Sequence, residues 1–397
     1  NMGEKIYLLL LLFVLGPVAS LPLSSLLLSI SGNEHDVENA EEPQYIFSRI
    51  LEANKGDIMN LLEGDIMLTN ERSAVFCPQC LWPKSGDGLV RVPYAFGSNY
   101  SDTELDLFKN SMAEYESLTC VRFLPRTTEV DFLNIVSSVG CRSHLGRVRG
   151  GQRVGLDRAG CLARGAIQHE LNHALGFYHE HMRSDRDNYV KIMYQYIPKE
   201  YVRQFINVST NNLGLEYDYE STMHYDKYAF TNTSGQPTIL PIPDPNIQLG
   251  QRYGLSVLDV SKINKLYECD VCGNLLNKKN GVLSSTNYPS PYPHNSNCAW
   301  LIRAPSDQVS LNFIAFDVQS SPDCVSDYVR IYDGPSKNYS LLMDKTCGTK
   351  MIPPIIATSK QVLVEFSSDS SVAGIGFKIL YSTVGCGGTY ITPQGNF

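Results

Sequence analysis

The segment HELNHALGFYHEH, which begins at His169, constrains this chain more than any other feature. His169 and His173 are four residues apart, so on an α-helix their imidazoles lie on one face and can reach one metal ion. Glu170 lies beside that face, where its carboxylate can take a proton from a metal-bound water. Gly176 permits the left-handed turn that ends the helix, which lets His179 return as a third ligand. Three imidazoles with an open fourth position are typical of a catalytic zinc site.

Two other interpretations of this motif are weaker. A single histidine on a helix is usually an ordinary surface or core residue, but the whole pattern H-E-x-x-H-x-x-G-x-x-H arises by chance in about one such chain in a hundred thousand. A structural zinc site needs a fourth protein ligand such as cysteine, and none lies close in sequence. The motif therefore predicts a catalytic site with one Zn²⁺ per chain.

Composition and cysteine content indicate a secreted globular protein. The 397 residues are enough for two or three domains. The formal net charge of −8 argues against a nucleic-acid partner, which would favour a basic surface. Eleven cysteines are far more than a cytosolic enzyme of this size usually keeps. Four glycosylation sequons are compatible with secretion and lie at Asn99, Asn207, Asn232 and Asn338.

The first 20 residues have the pattern of a cleavable signal peptide. An apolar run from Ile6 to Val14 follows one charged pair and precedes small residues and Pro17. A signal anchor is the alternative, because no charged residue occurs from Ile6 to Ile30. Prolines interrupt that run well short of the ~20 apolar residues that a span needs. We therefore expect secretion, with no membrane span once the signal is removed.

The rest of the chain divides into segments of different pattern. An acidic stretch and a short helical pattern precede Arg72, a plausible processing point. Residues 73–271 alternate strand-like and helical runs, which is typical of an α+β fold. From Cys272 onward, short alternating strands such as QVSLNF, DYVRIY, QVLVEF and GFKILY predict an all-β sandwich of roughly 110 residues.

About 45 residues after the motif, the run STMHYDKYAF contains Met223 and Tyr225 at the spacing of a metzincin Met-turn. With HELNHALGFYHEHMRSDRDNYV, it makes residues 73–271 resemble the astacin family of secreted zinc endopeptidases. The resemblance implies a two-lobed domain with a deep zinc cleft and Met223 as an apolar floor beneath the metal. It implies that the Tyr225 phenol stabilises the oxyanion, and that Glu180 binds the α-ammonium of the mature chain.

The resemblance also assigns residues 21–72 to a propeptide. The family's propeptide carries an F-x-G-D motif whose aspartate occupies the open zinc position. Here the motif begins with Leu62 in place of phenylalanine and offers Asp65, which implies a latent zymogen. The alternative is that Asp65 is a solvated turn residue, because Gly-Asp is a common turn pair.

Residues 272–384 resemble a CUB domain, through STNYPSPYPHNSNCAW and FDVQSSPDCVSDYVRIYDG. Such domains often hold Ca²⁺ through one glutamate and two aspartates. Asp327 and Asp369 match these ligands, but Gln319 replaces the glutamate, so we expect weak calcium binding or none. Residues 385–397 resemble the start of a second, truncated CUB domain.

The family resemblances imply a set of disulfides. Cys77 and Cys80 form a CxxC that resembles a local disulfide of the hatching-enzyme branch of the astacins. A redox pair or half a metal knuckle is less favoured, because no second CxxC or thioredoxin-like context follows. The other implied pairs are Cys120 with Cys269, Cys141 with Cys161, Cys272 with Cys298, and Cys324 with Cys347.

Taken together, the sequence predicts a secreted zinc endopeptidase that is made as a zymogen. The resemblance implies that its biological role is that of a hatching enzyme, which digests the egg envelope. The expected partners are extracellular-matrix or egg-envelope proteins, and storage in secretory granules is a further expectation. A matrix-processing or digestive astacin would use the same chemistry on another substrate. A catalytically inactive CUB-type binding protein is disfavoured, because every zinc and base residue is present.

Overall fold

The computed structural model describes residues 46–68, 78–137, 140–251, 253–304 and 308–384. The predictions for residues 1–20, Arg72, Cys77 and residues 385–397 lie outside these ranges. The helices are α1 (Ile46–Asn54), α2 (Asp102–Leu118), α3 (Arg164–Ala174) and α4 (Val257–Leu266). Within the described ranges, no helix is long and apolar enough to cross a membrane.

The strands fall into two groups along the chain. Those of the N-terminal part are β1 (Leu61–Leu62), β2 (Ile66–Met67), β3 (Val90–Phe96), β4 (Val121–Pro125), β5 (Phe132–Val136), β6 (Cys141–His144), β7 (Gly151–Leu156), β8 (Val190–Ile192) and β9 (Ile239–Pro241). Those of the C-terminal part are β10 (Cys272–Leu276), β11 (Asn280–Ser284), β12 (Asn297–Arg303), β13 (Gln308–Val318), β14 (Tyr328–Tyr332), β15 (Leu341–Thr346), β16 (Gly348–Thr349), β17 (Ile355–Ile356), β18 (Gln361–Ser367) and β19 (Gly376–Val384).

The N-terminal part is an α+β domain built on a seven-stranded sheet in the order β1-β2-β6-β7-β5-β3-β4. Strands β3, β4, β5 and β7 pair in parallel, whereas β6 runs antiparallel to β7. The hairpin β1–β2 extends the sheet beyond β6, and β2 pairs with β6 in parallel. A segment that precedes residue 73 therefore contributes two strands to this sheet.

Helix α3 is enclosed on all sides. Every residue from Gly165 to Ala174 is buried, including the polar side chains of Gln168, Glu170 and Asn172. Polar groups are rarely buried unless they are hydrogen-bonded or functional. The helix ends as the sequence predicts, with Gly176 at φ +106°, a conformation that favours glycine.

The C-terminal part is a sandwich of two five-stranded sheets. One has the order β10-β12-β18-β14-β15, and the other contains β11-β19-β13-β16 with β17 paired to β13. The predicted fold class, an α+β domain followed by an all-β sandwich, is confirmed. In the described residues the disulfides join Cys120 to Cys269, Cys141 to Cys161, Cys272 to Cys298 and Cys324 to Cys347.

The sheet that contains β12 and β18 is covered on both faces. The alternation predicted for QVLVEF, which lies in β18, would instead leave one face exposed. Along β12, Trp300 and Ile302 pack in the core of the sandwich. Ala299 and Leu301 point the other way and join the core of the α+β domain. Five consecutive residues of each strand, beginning at Cys298 in β12, are buried, as expected of a sheet covered on both faces. The sandwich therefore packs against the α+β domain through one face of this sheet, with residues of β10, β12, β14 and β18.

Arg303 adds a charged contact to this interface. Its Nη2 lies 2.8 Å from Oε2 of Glu114 in α2, whose side chain is 0% exposed. Its Nη1 donates to the Leu255 carbonyl at 2.8 Å. Glu114 also accepts from Gln168, the residue that precedes His169, at 2.9 Å. The sandwich thus contributes the closest cation to a buried carboxylate that contacts α3.

We expect Arg303→Met to lower the free energy of unfolding of the full chain by about 3 kcal/mol, because it leaves the buried Glu114 carboxylate without its closest cation. Adding Glu114→Gln should recover most of that loss, since it removes the buried charge. Denaturant titration measures both effects. The control is Arg330→Met, which removes an exposed pair with Asp344 and should cost less than about 1 kcal/mol. A loss of the same size in the double variant would contradict the charge explanation.

The calcium-site residues of the sandwich are held by hydrogen bonds within the protein. Asp327 is buried, and its carboxylate accepts from the Tyr292 hydroxyl at 2.5 Å and from the Asp369 amide at 2.8 Å. The Gln319 side chain donates to Ser371 at 3.2 Å. Among the described residues, one group of histidine, cysteine, aspartate and glutamate side chains lies close enough together to hold a metal ion, and that group is in the α+β domain.

We therefore expect calorimetry on the full chain to show calcium binding weaker than about 1 mM, the weak limit of extracellular modules. Gln319→Glu should strengthen the binding, because it restores a third carboxylate. Asp327→Asn in the Gln319→Glu background should abolish that gain. Micromolar binding by the unaltered chain would show that the prediction is wrong.

Candidate metal centre

Three buried histidines converge at one end of α3. His169 and His173 lie one turn apart on the helix, and His179 follows the turn at Gly176. All three side chains are 0% exposed, and the Nε2 atoms of His169 and His179 are 3.1 Å apart. The structure brings together the three predicted zinc ligands.

Each histidine ring is oriented by a hydrogen bond at its other nitrogen. Nδ1 of His169 donates to the Thr222 carbonyl at 2.7 Å, and Nδ1 of His173 donates to the Phe177 carbonyl at 2.7 Å. Nδ1 of His179 donates to Oε2 of Glu63 at 2.7 Å. An Nδ1–H that donates outward leaves the Nε2 lone pair pointing inward, as a metal ligand requires.

Asp65 lies among the three inward nitrogens. Its Oδ2 is 2.9 Å from Nε2 of His169 and 3.3 Å from Nε2 of His179, and its Oδ1 is 3.3 Å from Nε2 of His173. One ligand atom from each of the four residues falls within 4.8 Å of the others. Asp65 is the last residue of the tight turn between β1 and β2, in which Gly64 has φ +83°.

The donor set fits Zn²⁺. Three imidazole nitrogens and one carboxylate oxygen are ligands that zinc prefers in four-coordinate sites. Nε2 of His173 and Oδ1 of Asp65 are buried and make no hydrogen bond within the described residues. Burial lowers the pKa of His179, but the carboxylates of Asp65 and Glu63 outweigh it and raise that pKa to about 9. The negative charge around the ring thus favours a bound cation.

Glu170 is buried beside this cluster. Both of its carboxylate oxygens are unpaired within the part of the chain that the structure describes. Burial raises its pKa well above the ordinary value, and the negative charge of Asp65 raises it further. A carboxylate that no protein donor holds is available to accept a proton, as a general base must be.

Tyr225 contacts both the cluster and the N-terminal segment. Its ring centroid is 4.7 Å from that of His179 and 3.7 Å from that of the tilted His181 ring, and it stacks on Phe47 of α1 at 3.6 Å. Its hydroxyl donates to the Glu63 carbonyl. The phenol expected at the metal is therefore hydrogen-bonded to the turn that carries Asp65.

Met223 and Glu180 lie at a neighbouring buried site. The Met223 side chain is buried, and its carbonyl accepts from the Glu180 amide at 2.9 Å. The Glu180 carboxylate contacts Lys262 at 2.6 Å and Arg183 at 3.1 Å. The expected partner of Glu180, the mature N-terminus, lies outside the described residues. In this structure the two side-chain cations hold that carboxylate.

Sequence reasoning missed Glu63, Lys262 and Phe47. Glu63 occupies the variable position of the propeptide motif, so no pattern marks it, and its contact with His179 spans 116 residues of sequence. Lys262 lies on α4 and Phe47 on α1, in patterns that predict only amphipathic helices. Their roles come from contacts between distant segments.

Comparisons with known proteins agree with this geometry. The profile of the astacin peptidase family matches residues 79–268, and the CUB domain profile matches residues 272–381. Embryonic protein UVS.2 of Xenopus laevis is 55% identical over 352 residues, covering 89% of this chain and 68% of that protein. Astacin-like metalloendopeptidase of Gallus gallus is 47% identical over 349 residues, covering 87% of this chain and 85% of that protein.

A third relative is High choriolytic enzyme 1 of Oryzias latipes. It is 43% identical over 265 residues, covering 66% of this chain and 97% of that protein. Its solved structure, described as a hatching enzyme zinc-protease, gives a TM-score of 0.48 and covers 50% of this chain and 100% of that chain.

Proposed function

Since this chain belongs to the astacin family of zinc metalloendopeptidases, we propose that it is a hatching enzyme, which digests proteins of the egg envelope. It acts outside the cell on protein substrates. The main support for this chemistry is the convergence of three inward-facing imidazoles beside the Glu170 carboxylate, which makes no hydrogen bond to the described part of the chain. The choice of substrate is supported by the relative described as a hatching enzyme.

The proposed mechanism assigns a role to each group of the site. His169, His173 and His179 would hold Zn²⁺, which supplies Lewis acidity and lowers the pKa of a water molecule. Glu170 accepts the proton of the attacking water and returns it to the leaving amine. The Tyr225 hydroxyl donates to the oxyanion that develops on the scissile carbonyl. Met223 lies in the turn beside the Thr222 carbonyl that orients His169.

We propose that the chain is made as a latent precursor, which Asp65 keeps inactive. The Asp65 carboxylate fills the space between the three imidazoles that a water and a scissile carbonyl would need. The hydrogen bond to Glu63 and the stacking on Phe47 hold the Tyr225 phenol away from substrate. Latency also supports storage in secretory granules, because an active protease would digest its surroundings.

The proposed boundaries follow from this scheme. Cleavage near Arg72 would remove the propeptide and its strands β1 and β2 from the sheet. The proposed segments are a signal peptide (1–20), a propeptide (21–72), a protease domain (73–271), a CUB domain (272–384) and the start of a second CUB domain (385–397). The disulfide of Cys77 with Cys80 and the pairing of Glu180 with the new N-terminus remain part of the proposal.

Isolated egg envelopes test the proposed substrate. The mature enzyme should release soluble peptides from envelopes at a higher rate than from extracellular-matrix proteins of equal mass. The Glu170→Gln protein is the matched control, because it retains the envelope-binding surface without the general base. Cleavage of matrix proteins with intact envelopes would favour a matrix-processing astacin, whereas no cleavage of either would contradict the proposed activity.

A further inference from the structure

The face of the seven-stranded sheet that points away from α3 is rich in arginine. Strands β3 to β7 contain four arginines and no aspartate or glutamate, although the whole chain has a formal net charge of −8. In β5 and β7, Leu133, Ile135 and Val154 are buried in the core that includes α3, so the alternate residues point to the opposite face. One of these is Arg153 of β7, which is exposed. An acidic protein thus carries a positive surface on the side of the sheet away from its metal ligands.

Three arginines lie around Phe132 of β5 on this face. The Arg126 guanidinium lies over the Phe132 ring, 3.9 Å from its centroid. Phe132 pairs with Gly151 of β7, and Arg149 and Arg153 lie two residues to either side of Gly151. A chain extends at most about 3.5 Å per residue, so the Cα atoms of Arg149 and Arg153 are within about 14 Å of each other. We call Arg126, Arg149 and Arg153 the arginine cluster.

The charges of the arginine cluster are not neutralised within the described part of the chain. All three residues are exposed, and none forms an ion pair with a carboxylate of the described residues. Nε of Arg126 donates to the Glu129 backbone carbonyl at 2.7 Å, whereas the Glu129 carboxylate accepts from the Thr127 amide at 2.7 Å. The neighbouring Asp131 carboxylate is paired with Arg147 at 2.6 Å. Like charges this close repel one another, so an external anion would stabilise the arrangement.

The face around the arginine cluster offers charge but no free backbone groups. Strand β5 lies between β3 and β7, and β7 lies between β5 and β6, so both strands have partners on each side. A peptide that binds as an added strand needs a sheet edge, which is absent at these two strands. A ligand here is therefore recognised through its anionic groups, which guanidinium binds with pairs of parallel hydrogen bonds. Sulfate groups repeated along a glycan chain have this chemistry and can reach all three arginines.

We propose that the arginine cluster binds sulfated glycan chains of the egg envelope and so holds the enzyme on its substrate. The envelope as the source of the glycan rests on the proposed function, whereas the binding of sulfated glycan does not. The cluster lies on the face of the sheet opposite α3, so a glycan bound there leaves the metal centre accessible. A short peptide at the metal centre, in turn, does not reach the cluster.

Heparin is the probe for glycan binding, and the intact precursor is used because the cluster is exposed in it. The precursor should bind immobilised heparin at physiological ionic strength and elute as salt screens the charges. Replacing all three arginines of the cluster by glutamine should weaken the binding roughly tenfold, because three exposed charge contacts are lost. Replacing them by lysine should retain more binding than the glutamine variant. Desulfated heparin and polyglutamate should compete poorly with heparin.

The control replaces Lys279, Lys350 and Lys360 by glutamine, which removes the same charge from exposed positions of the sandwich. It should bind heparin like wild type. Equal losses in the control and in the arginine variant would overturn the proposal, because net charge alone would then explain the binding. Competition by polyglutamate as strong as that by heparin would also overturn it, in favour of an acidic peptide.

Egg envelopes separate this inference from the proposed function. The mature glutamine variant of the cluster should digest envelopes several-fold more slowly than wild type, while its kcat/KM for a short fluorogenic peptide stays unchanged. Envelope digestion at the wild-type rate would show that the cluster does not hold the enzyme on the envelope. Failure of the wild-type enzyme itself to digest envelopes, with heparin binding intact, would instead contradict the proposed substrate.

Discussion

Replacing Glu170 by glutamine should lower kcat/KM for peptide hydrolysis by about 10³-fold while the protein retains one zinc ion. The amide has nearly the same shape as the carboxylate but cannot accept the proton of the attacking water. Both carboxylate oxygens lack hydrogen-bond partners among the described residues, so the substitution breaks no protein contact of this group. A fluorogenic peptide assay with metal analysis of the same sample measures both quantities.

Two variants separate loss of the base from loss of the metal. His173→Ala should lose zinc as well as activity, because it removes one of three imidazole ligands. Glu116→Gln changes a carboxylate that is 65% exposed on α2 and should retain both zinc and activity. Substantial turnover by a zinc-loaded Glu170→Gln protein would show that another group is the general base.

The uncleaved precursor should gain peptidase activity when Asp65 is replaced by alanine, by at least about tenfold over wild type. The alanine removes the carboxylate that contacts all three imidazoles and opens the position for water and substrate. Activity should remain below that of the mature enzyme, because Glu63 and Phe47 still hold His179 and Tyr225. The assay uses one fluorogenic peptide.

Both precursor forms should carry Arg72→Gln to block processing, and mass spectrometry should verify that the chains are intact. Asp106→Ala, at an exposed position of α2, is the matched control and should stay as inactive as the parent. Equal and negligible rates for the Asp65→Ala and parent precursors would show that Asp65 is only a turn residue.

Local sequence patterns were sufficient for the elements and residues of the zinc motif. The helical spacing of His169, Glu170 and His173 depends only on the period of the α-helix, and Gly176 supplies the positive φ that redirects the chain. Strand β5 coincides with FLNIV, one of the strand-like runs of residues 73–271. These features were predictable because they depend on neighbours within a few residues.

Contacts between distant segments were not predictable in the same way. The hydrogen bond from His179 to Glu63 and the ion pair of Arg303 with Glu114 join residues that no local pattern relates. The burial of both faces of β12 did leave a signal, because its apolar run is continuous rather than alternating. That signal indicates a covered sheet but not the domain that covers it.

Metal removal and restoration in the mature enzyme tests the zinc-peptidase account most directly. The protein is stripped with a chelator, its folded state is checked by circular dichroism, and zinc is then added in steps while peptide hydrolysis is measured. Activity should be absent without metal and should return linearly until it saturates at one zinc per chain. A His179→Ala protein should recover little activity under the same titration. Full activity in the folded, metal-free protein, or zinc binding at one equivalent without return of activity, would contradict the account.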